Sequence, residues 1–337
     1  MVEGRLKRAG FRVLQRAGVI AVSELLARGV PILAYHGVTE AAASPLSNVR
    51  RLHIPKELFE EHLKFLNSRW CPVLLSTVSE AMERGRLPPR RSVVVTIDDG
   101  YRNVLTVAMP LLKCFGVPAT MFVLTGAGRE RRMWIDQLEA MIEATSVPLL
   151  QWQERTFPLL SITAKAGAIR ALTPLFGQLG ARRETALEEL RTLLGTPSER
   201  PNPDRDLLTP AEIRGLRDAG LEIGSHAEEH EPLTDRPLEA MRSALARSRQ
   251  VLERDLGAGR YALAYPYGAW NAQLARVVEE AGFCCAVTTD PGLNRPGVDR
   301  FGLKRLLVGA DDNIPRLRAC LSGLRQFLKP IAAGLSV

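Results

Sequence analysis

The sequence predicts an α/β fold built on a parallel sheet, in a chain of 337 residues. Three observations carry that prediction. Val93 to Ile97 is an apolar, β-branched run without alternation, the pattern of a strand covered on both faces. A helical stretch follows, roughly Val104 to Phe115, and after Gly116 a second such run spans Val117 to Leu124. Strand, helix and strand in so short a span form a βαβ unit, whose natural product is a parallel sheet. The length suits an α/β barrel carrying an insertion.

With 46% hydrophobic and 24% charged residues the chain can bury a large core. A net charge of +8 favours an anionic partner: nucleic acid, an anionic membrane surface or a phosphorylated substrate. Nucleic-acid motifs are absent, and aromatics at 6% are too sparse for a base-stacking groove, so nucleic acid is not expected. The five cysteines (Cys71, Cys114, Cys284, Cys285, Cys320) form no CxxC pair and are expected as buried free thiols in a reducing compartment.

Residues 1–29 read as a basic amphipathic helix, with Arg5, Lys7, Arg8, Arg12 and Arg16 set against Leu6, Phe11, Leu14 and Ile20. Residues 311–337 echo it, with Arg316, Arg318, Arg325 and Lys329 among Leu317, Leu321, Leu324 and Phe327. Both ends either pack on the barrel or lie on an anionic bilayer. The apolar run Ala17 to Val22 is short and lacks a cleavage site, and no stretch reaches transmembrane length. A cytoplasmic location, or a peripheral one on the inner face of the membrane, is therefore expected.

Val30 to Ala34 is a strand candidate ending in Tyr35-His36-Gly37. Pro55 to Leu66 is an amphipathic helix opened by proline, with Leu58, Phe59, Leu63 and Leu66 on its apolar side. His62 falls among its polar positions and is expected at the surface; His53, in the preceding loop, receives no role. The central run stops at Asp98-Asp99-Gly100-Tyr101. Two adjacent acids at a strand's carboxyl end are costly unless one is neutralised, and a metal ion would do so.

Residues 127–206 have a different texture: a helix Trp134 to Ala144, a hairpin within Gln151 to Leu160, and helices Ala164 to Leu179 and Thr185 to Leu194. They read as a helical insertion on the rim, serving specificity, a lid or a dimer contact. Thr209-Pro-Ala-Glu is a capping box opening a further helix. The short strand Leu221 to Gly224 leads to Ser225-His226-Ala-Glu-Glu-His230. Histidines at i and i+4 on a helical turn could reach one ion. The helix Pro237 to Leu256 is expected to turn Ala240, Leu245, Ala246 and Leu252 inward. Tyr261 to Gly268 runs a strand into Pro266-Tyr267-Gly268, Asn271 caps the next helix, and Cys284 to Thr289 is the strand after it.

These motifs together resemble the polysaccharide deacetylase family, the NodB-type carbohydrate esterases, over Val30 to about Val308 apart from the insertion. Thr96-Ile97-Asp98-Asp99-Gly100 is similar to its first motif, His226 to His230 to its metal motif, and Pro266-Tyr267-Gly268 to its third. The resemblance implies a distorted, incomplete (β/α) barrel over residues 30–310 and a divalent metal on Asp99, His226 and His230. Zinc suits such a set, with cobalt, nickel or manganese as alternatives. It further implies Asp98 as a free general base and the backbone N–H of Tyr267 as an oxyanion donor.

Two positions depart from the family pattern. Ala264 stands where an arginine usually tethers the catalytic aspartate, and no histidine follows His230 to serve as the late general acid. Leu33 to Gly37 resembles a motif of a circularly permuted subgroup that includes the poly-N-acetylglucosamine deacetylases, which assigns the acid role to His36. The expected substrate is an N-acetylated hexosamine in a polysaccharide or on a polyprenyl phosphate carrier, with Tyr101, Pro266, Trp134, Asp136 and Trp270 lining the sugar site. Deformylation, O-deacetylation and silent glycan binding remain the alternatives.

Overall fold

Ser92–Ile97 lies in the middle of a sheet with all six residues buried, as its unbroken apolar pattern predicts. The computed structural model describes residues 29–40, 44–86, 88–126, 132–196 and 203–323. The expected N-terminal helix and the chain beyond 323 lie outside the described residues.

The first six strands are β1 (Ile32–Tyr35), β2 (Gly37–Thr39), β3 (His53–Pro55), β4 (Cys71–Pro72), β5 (Ser92–Ile97) and β6 (Ala119–Val123). Six more follow: β7 (Leu149–Trp152), β8 (Arg155–Pro158), β9 (Glu222–Ser225), β10 (Leu263–Ala264), β11 (Ala286–Val287) and β12 (Leu306–Leu307). Seven strands run in the order β11-β10-β9-β6-β5-β1-β12, with β4 beside β5, and every pairing is parallel. The two edges approach each other, because Val287 of β11 makes a parallel bridge with Leu303, just before β12. The result is the distorted, incomplete (β/α) barrel expected, and its first and last strands are neighbours.

Helices α1 (Lys56–Arg69), α2 (Leu75–Glu83) and α3 (Met109–Phe115) connect the early strands. The predicted helix from Val104 starts as a π-helical turn, Val104–Ala108, with Pro110 near the start of α3, where its missing N–H costs little. The insertion supplies α4 (Trp134–Ala144), the antiparallel hairpin β7–β8, α5 (Ile162–Gly177) and α6 (Arg183–Leu194). It builds its own apolar core around Leu138, Ile142, Ile169, Leu172, Phe176, Leu187 and Leu190, joined by Tyr101 from the barrel. The remaining helices are α7 (Pro210–Asp218), opened by the expected Thr209 capping box, α8 (Leu238–Leu256), α9 (Ala272–Glu280), capped by Asn271, and α10 (Ile314–Leu321).

Several expectations are corrected. In α8 the buried face is Met241, Ala244, Leu245, Ser248, Leu252 and Leu256, whereas Ala240 and Ala246 are exposed. His62 is fully buried in α1, bonded through Nδ1 to the Tyr35 hydroxyl (3.1 Å) and through Nε2 to the carbonyl of Asp312 (2.6 Å). Cys284, Cys285 and Cys320 are buried thiols, but Cys71 and Cys114 are exposed. In α10, Leu317 and Leu321 are buried and pack in the main core, so this part of the expected C-terminal helix lies on the barrel. No helix of the described residues is long and apolar enough to cross a membrane.

Candidate active site

The carboxyl ends of β5, β9 and β10 deliver three loops to one place, and each loop contains a non-glycine residue with positive φ: Asp99 (74°), Ala227 (64°) and Tyr267 (57°). Such conformations persist only where surroundings over-determine them, and they concentrate at working sites. His226 and His230 do not sit on a helical turn, as their spacing had led us to expect; the segment after β9 is irregular and turns at Ala227. The turn still converges both imidazoles. Asp99 Oδ1 lies 3.3 Å from His226 Nε2 and 3.6 Å from His230 Nε2.

A donor set of one carboxylate and two imidazoles fits a divalent ion. All three ligand atoms lie within 4.8 Å of one another, and two are buried with the third nearly so. Zinc bonds of about 2.0–2.1 Å in a tetrahedral arrangement put ligand atoms about 3.3–3.4 Å apart, close to the separations here. Among the described residues the buried Asp99 Oδ1 has no hydrogen-bond partner, which leaves it open to an ion. His226 Nδ1 is bonded to the carbonyl of Ala264 at 2.8 Å, which fixes the tautomer that leaves Nε2 free.

The charges agree. Burial would raise the pKa of Asp99, but the close approach of His226 and the field of the neighbouring imidazoles hold it well below the usual carboxylate range. Burial lowers His230 to about 3, with Asp99 only partly opposing, so His230 is neutral, the form that can bind an ion. His226 is pushed up: burial works against its charge, and the nearby carboxylates of Asp99 and Asp98 outweigh it.

Asp98 lies outside the Asp99, His226 and His230 set and is oriented by a residue other than the arginine that Ala264 replaces. Arg305, just ahead of β12, grips it with two bonds, Nη1 to Oδ1 at 2.7 Å and Nη2 to Oδ2 at 2.6 Å. The arginine is 1% exposed and is itself held by Thr96 Oγ1 and the Thr288 carbonyl. Burial would raise Asp98, yet Arg305 keeps it below its ordinary value and therefore charged. The tether missing at Ala264 comes instead from the strand that borders β1. Sequence reasoning missed Arg305, although a lone arginine inside Leu303-Lys-Arg-Leu-Leu-Val308 carries the mark of a buried, paired charge.

His36 leaves β1 on this side of the sheet. Burial lowers its pKa, while Asp99 and Asp98 pull it up, and its Nδ1 has no partner. His53, given no role from sequence, is 2% exposed, meets the Tyr101 ring edge-on at 4.6 Å, and lies 3.2 Å through Nδ1 from Asn103 Nδ2. A Cβ on Gly37 would fall 2.1 Å from His53 Nδ1, so the residue after His36 must be glycine. Tyr267 is 37% exposed and sets its ring edge-on to His230 at 4.4 Å; Pro266 is buried in the same turn.

The insertion forms the other wall, stitched to these loops. At its start Thr125 and Gly126 N–H groups donate to the carbonyls of Ala227 and Glu228; at its end Leu208 N–H donates to Gly100 and Arg102 N–H to Asp206. Arg183 stacks over Trp134 at 4.9 Å and pairs with Glu231, next to His230. The Trp134 indole nitrogen neighbours the Tyr267 hydroxyl, short of a full hydrogen bond.

Two expected sugar contacts are therefore placed differently. Tyr101 is fully buried and gives its hydroxyl to Asp136 at 2.7 Å, and Asp136 is 4% exposed and also accepts from Arg205 at 2.8 Å. Both are spent on joining the walls. Trp270 stacks on Tyr265 and donates to Asp290, remaining half-buried.

A family model described as polysaccharide deacetylase matches residues 85–286. The chain belongs to the polysaccharide deacetylase family and is an enzyme of that class. It is 21% identical over 280 residues to YxkH of Bacillus subtilis (strain 168), a protein named for the same family, covering 83% of this chain and 71% of that one. It is 29% identical over 92 residues to the poly-β-1,6-N-acetyl-D-glucosamine N-deacetylase of Escherichia coli (strain K12), covering 27% of this chain and 13% of that one. The Streptococcus pyogenes deacetylase PplD, solved in complex with acetate, shares the fold with a TM-score of 0.58 at 18% identity, covering 90% of this chain and 99% of that one.

Proposed function

We propose that the chain hydrolyses the N-acetyl group of an N-acetylhexosamine, in a polysaccharide or a lipid-linked saccharide. The observation that carries this reading is the charged, tethered Asp98 beside the Asp99, His226 and His230 cluster. A divalent ion on that cluster, zinc by its donor set, would supply Lewis acidity toward the acetamide carbonyl and ease the ionisation of water.

The protein's own residues do the rest. Asp98, kept ionised by Arg305, accepts a proton as the water oxygen bonds to the carbonyl carbon. The backbone N–H of Tyr267 stabilises the oxyanion. The proton passes from Asp98 to His36, which burial keeps neutral at rest, and the imidazolium delivers it to nitrogen as the C–N bond breaks. Acetate and the free amine are the products. The acetate in the PplD complex and the substrate named for the Escherichia coli relative support an acetyl group over other acyl groups.

Acetate release from an N-acetylglucosamine oligomer by the purified protein tests this. It should stop with a chelator and return with zinc, and Asp98→Asn should lower kcat about 10²–10⁴-fold with metal content unchanged. Formate or ester-derived acetate as the only product would replace this reading with deformylation or O-deacetylation. No turnover of any of these in metal-loaded protein would leave glycan binding.

A further inference from the structure

The loop before β3 holds a charge that the proposed reaction does not use. Leu46 and Val49 are buried in the core of the insertion. Asn48 exchanges two bonds with His53, donating from Nδ2 to its carbonyl at 2.8 Å and accepting from its N–H at 3.1 Å. Arg51 binds Asp311 through both Nε and Nη2, and its carbonyl accepts from Ala310 N–H at 2.8 Å. Arg50 therefore projects from a backbone fixed on both sides.

Its half-buried guanidinium has no hydrogen bond or ion pair among the described residues. Its charge acts on Tyr267, His230 and His36, residues of the candidate site. Glu139, the carboxylate acting most strongly on it, is 2% exposed and lifted by burial to about 7, and Asp136 and Asp99 act on it as well, so Arg50 stays charged without a direct bond to any of them. Behind Arg50, Arg205 is 5% exposed; Nη1 is spent on Asp136, but Nη2 has no partner, and neither has Nε2 of His53. Both arginines act on His53. The Arg50 guanidinium and Arg205 Nη2 thus offer donors that no described residue takes, the arrangement that receives a ligand's acceptor oxygens.

We propose that Arg50, backed by Arg205 and His53, binds an oxyanion carried by the substrate beside the N-acetylated sugar. This rests on the deacetylase reading and narrows its substrate to an anionic glycan or glycosyl phosphate. A planar guanidinium pairs two oxygens of a phosphate or a carboxylate equally well, and the two sources are separable by experiment.

Equilibrium binding to zinc-loaded protein is the test, with three ligands: methyl N-acetylglucosaminide, N-acetylglucosamine 1-phosphate, and a disaccharide of N-acetylglucosamine and glucuronate. One anionic ligand should bind about tenfold tighter than the neutral sugar. Arg50→Gln should erase that difference and leave the neutral sugar within about twofold, with metal content unchanged. Which ligand gains identifies phosphate or carboxylate. No preference, or one that survives Arg50→Gln because the anion sits on the metal, overturns the proposal. Because binding is read without turnover, a protein that releases no acetate but shows the Arg50-dependent preference loses only the deacetylase reading.

Discussion

On the barrel side of the site Asp98 is locked by Arg305 and Asp99 faces two imidazoles, whereas on the insertion side Arg50, Arg205 Nη2 and Glu139 Oε1 have no partners among the described residues. In the proposed mechanism the barrel wall carries the general base and the ion-binding side chains. The insertion wall is joined to it through Tyr101–Asp136 and Arg183–Glu231, yet keeps donors in reserve. The contrast follows from what each wall must do. A general base has to be charged and aimed before substrate arrives, while groups that recognise substrate stay unsatisfied until it does.

The largest effect separating the walls is expected at Arg305. It is a positioning residue, since it acts through Asp98. Arg305→Met leaves a buried carboxylate without its partner, which should cost about 3–5 kcal/mol of stability. It should also show in the pH profile, where a structural role alone would not. Arg305 holds the pKa of Asp98 down, and the base works only when deprotonated. The acid limb of kcat/KM should therefore move to higher pH in Arg305→Met and largely return in Arg305→Lys. An unmoved limb would mean that Asp98 is not the base, and the barrel wall would lose its claim to the chemistry.

The barrel wall was also the legible one. Asp98, Asp99, His226 and His230 stand in short motifs at strand ends, where local sequence fixes both the turn and the chemistry. Arg305 reaches Asp98 across 207 positions of sequence, so only the closing of β12 onto β1 reveals it. His53 was invisible because β3 is three residues long and its neighbours come from other segments. His62 was readable and misread: Phe59, His62, Leu63 and Leu66 are the buried positions of α1, a single i, i+3, i+4, i+7 face. The insertion's helices were found by periodicity, but its contacts to the site depend on tertiary packing that no local pattern encodes.

The position of His62 gives a second, smaller test, behind the barrel wall and away from the metal. Burial depresses its pKa to about 4 from an ordinary value near 6.5, so it is neutral when folded. The unfolded chain takes up the proton first as pH falls. The stabilisation is thus whole above about pH 6.5 and is lost progressively down to about pH 4, to a total of about 3 kcal/mol. Denaturant titrations of wild type and His62→Gln at pH 7, 6 and 5 should differ in slope by nearly one proton. Parallel curves would mean that His62 titrates alike in the folded and the unfolded chain.

The smallest effect belongs to the joint between the walls. Tyr101→Phe removes the hydroxyl that Asp136 accepts, while Arg205 still holds the other oxygen of that carboxylate. Losing a hydrogen bond to a charged group should cost about 2 kcal/mol in stability. The kinetic split carries more information. If the insertion wall only recognises substrate, loosening the joint raises KM and leaves kcat alone, because Asp98 and the metal ligands do not touch Asp136. If kcat falls with KM unchanged, Tyr101 transmits the insertion's packing to Asp99, two residues earlier in the same turn. The two walls would then be one catalytic unit, and the division between chemistry and recognition drawn from their partners would fail.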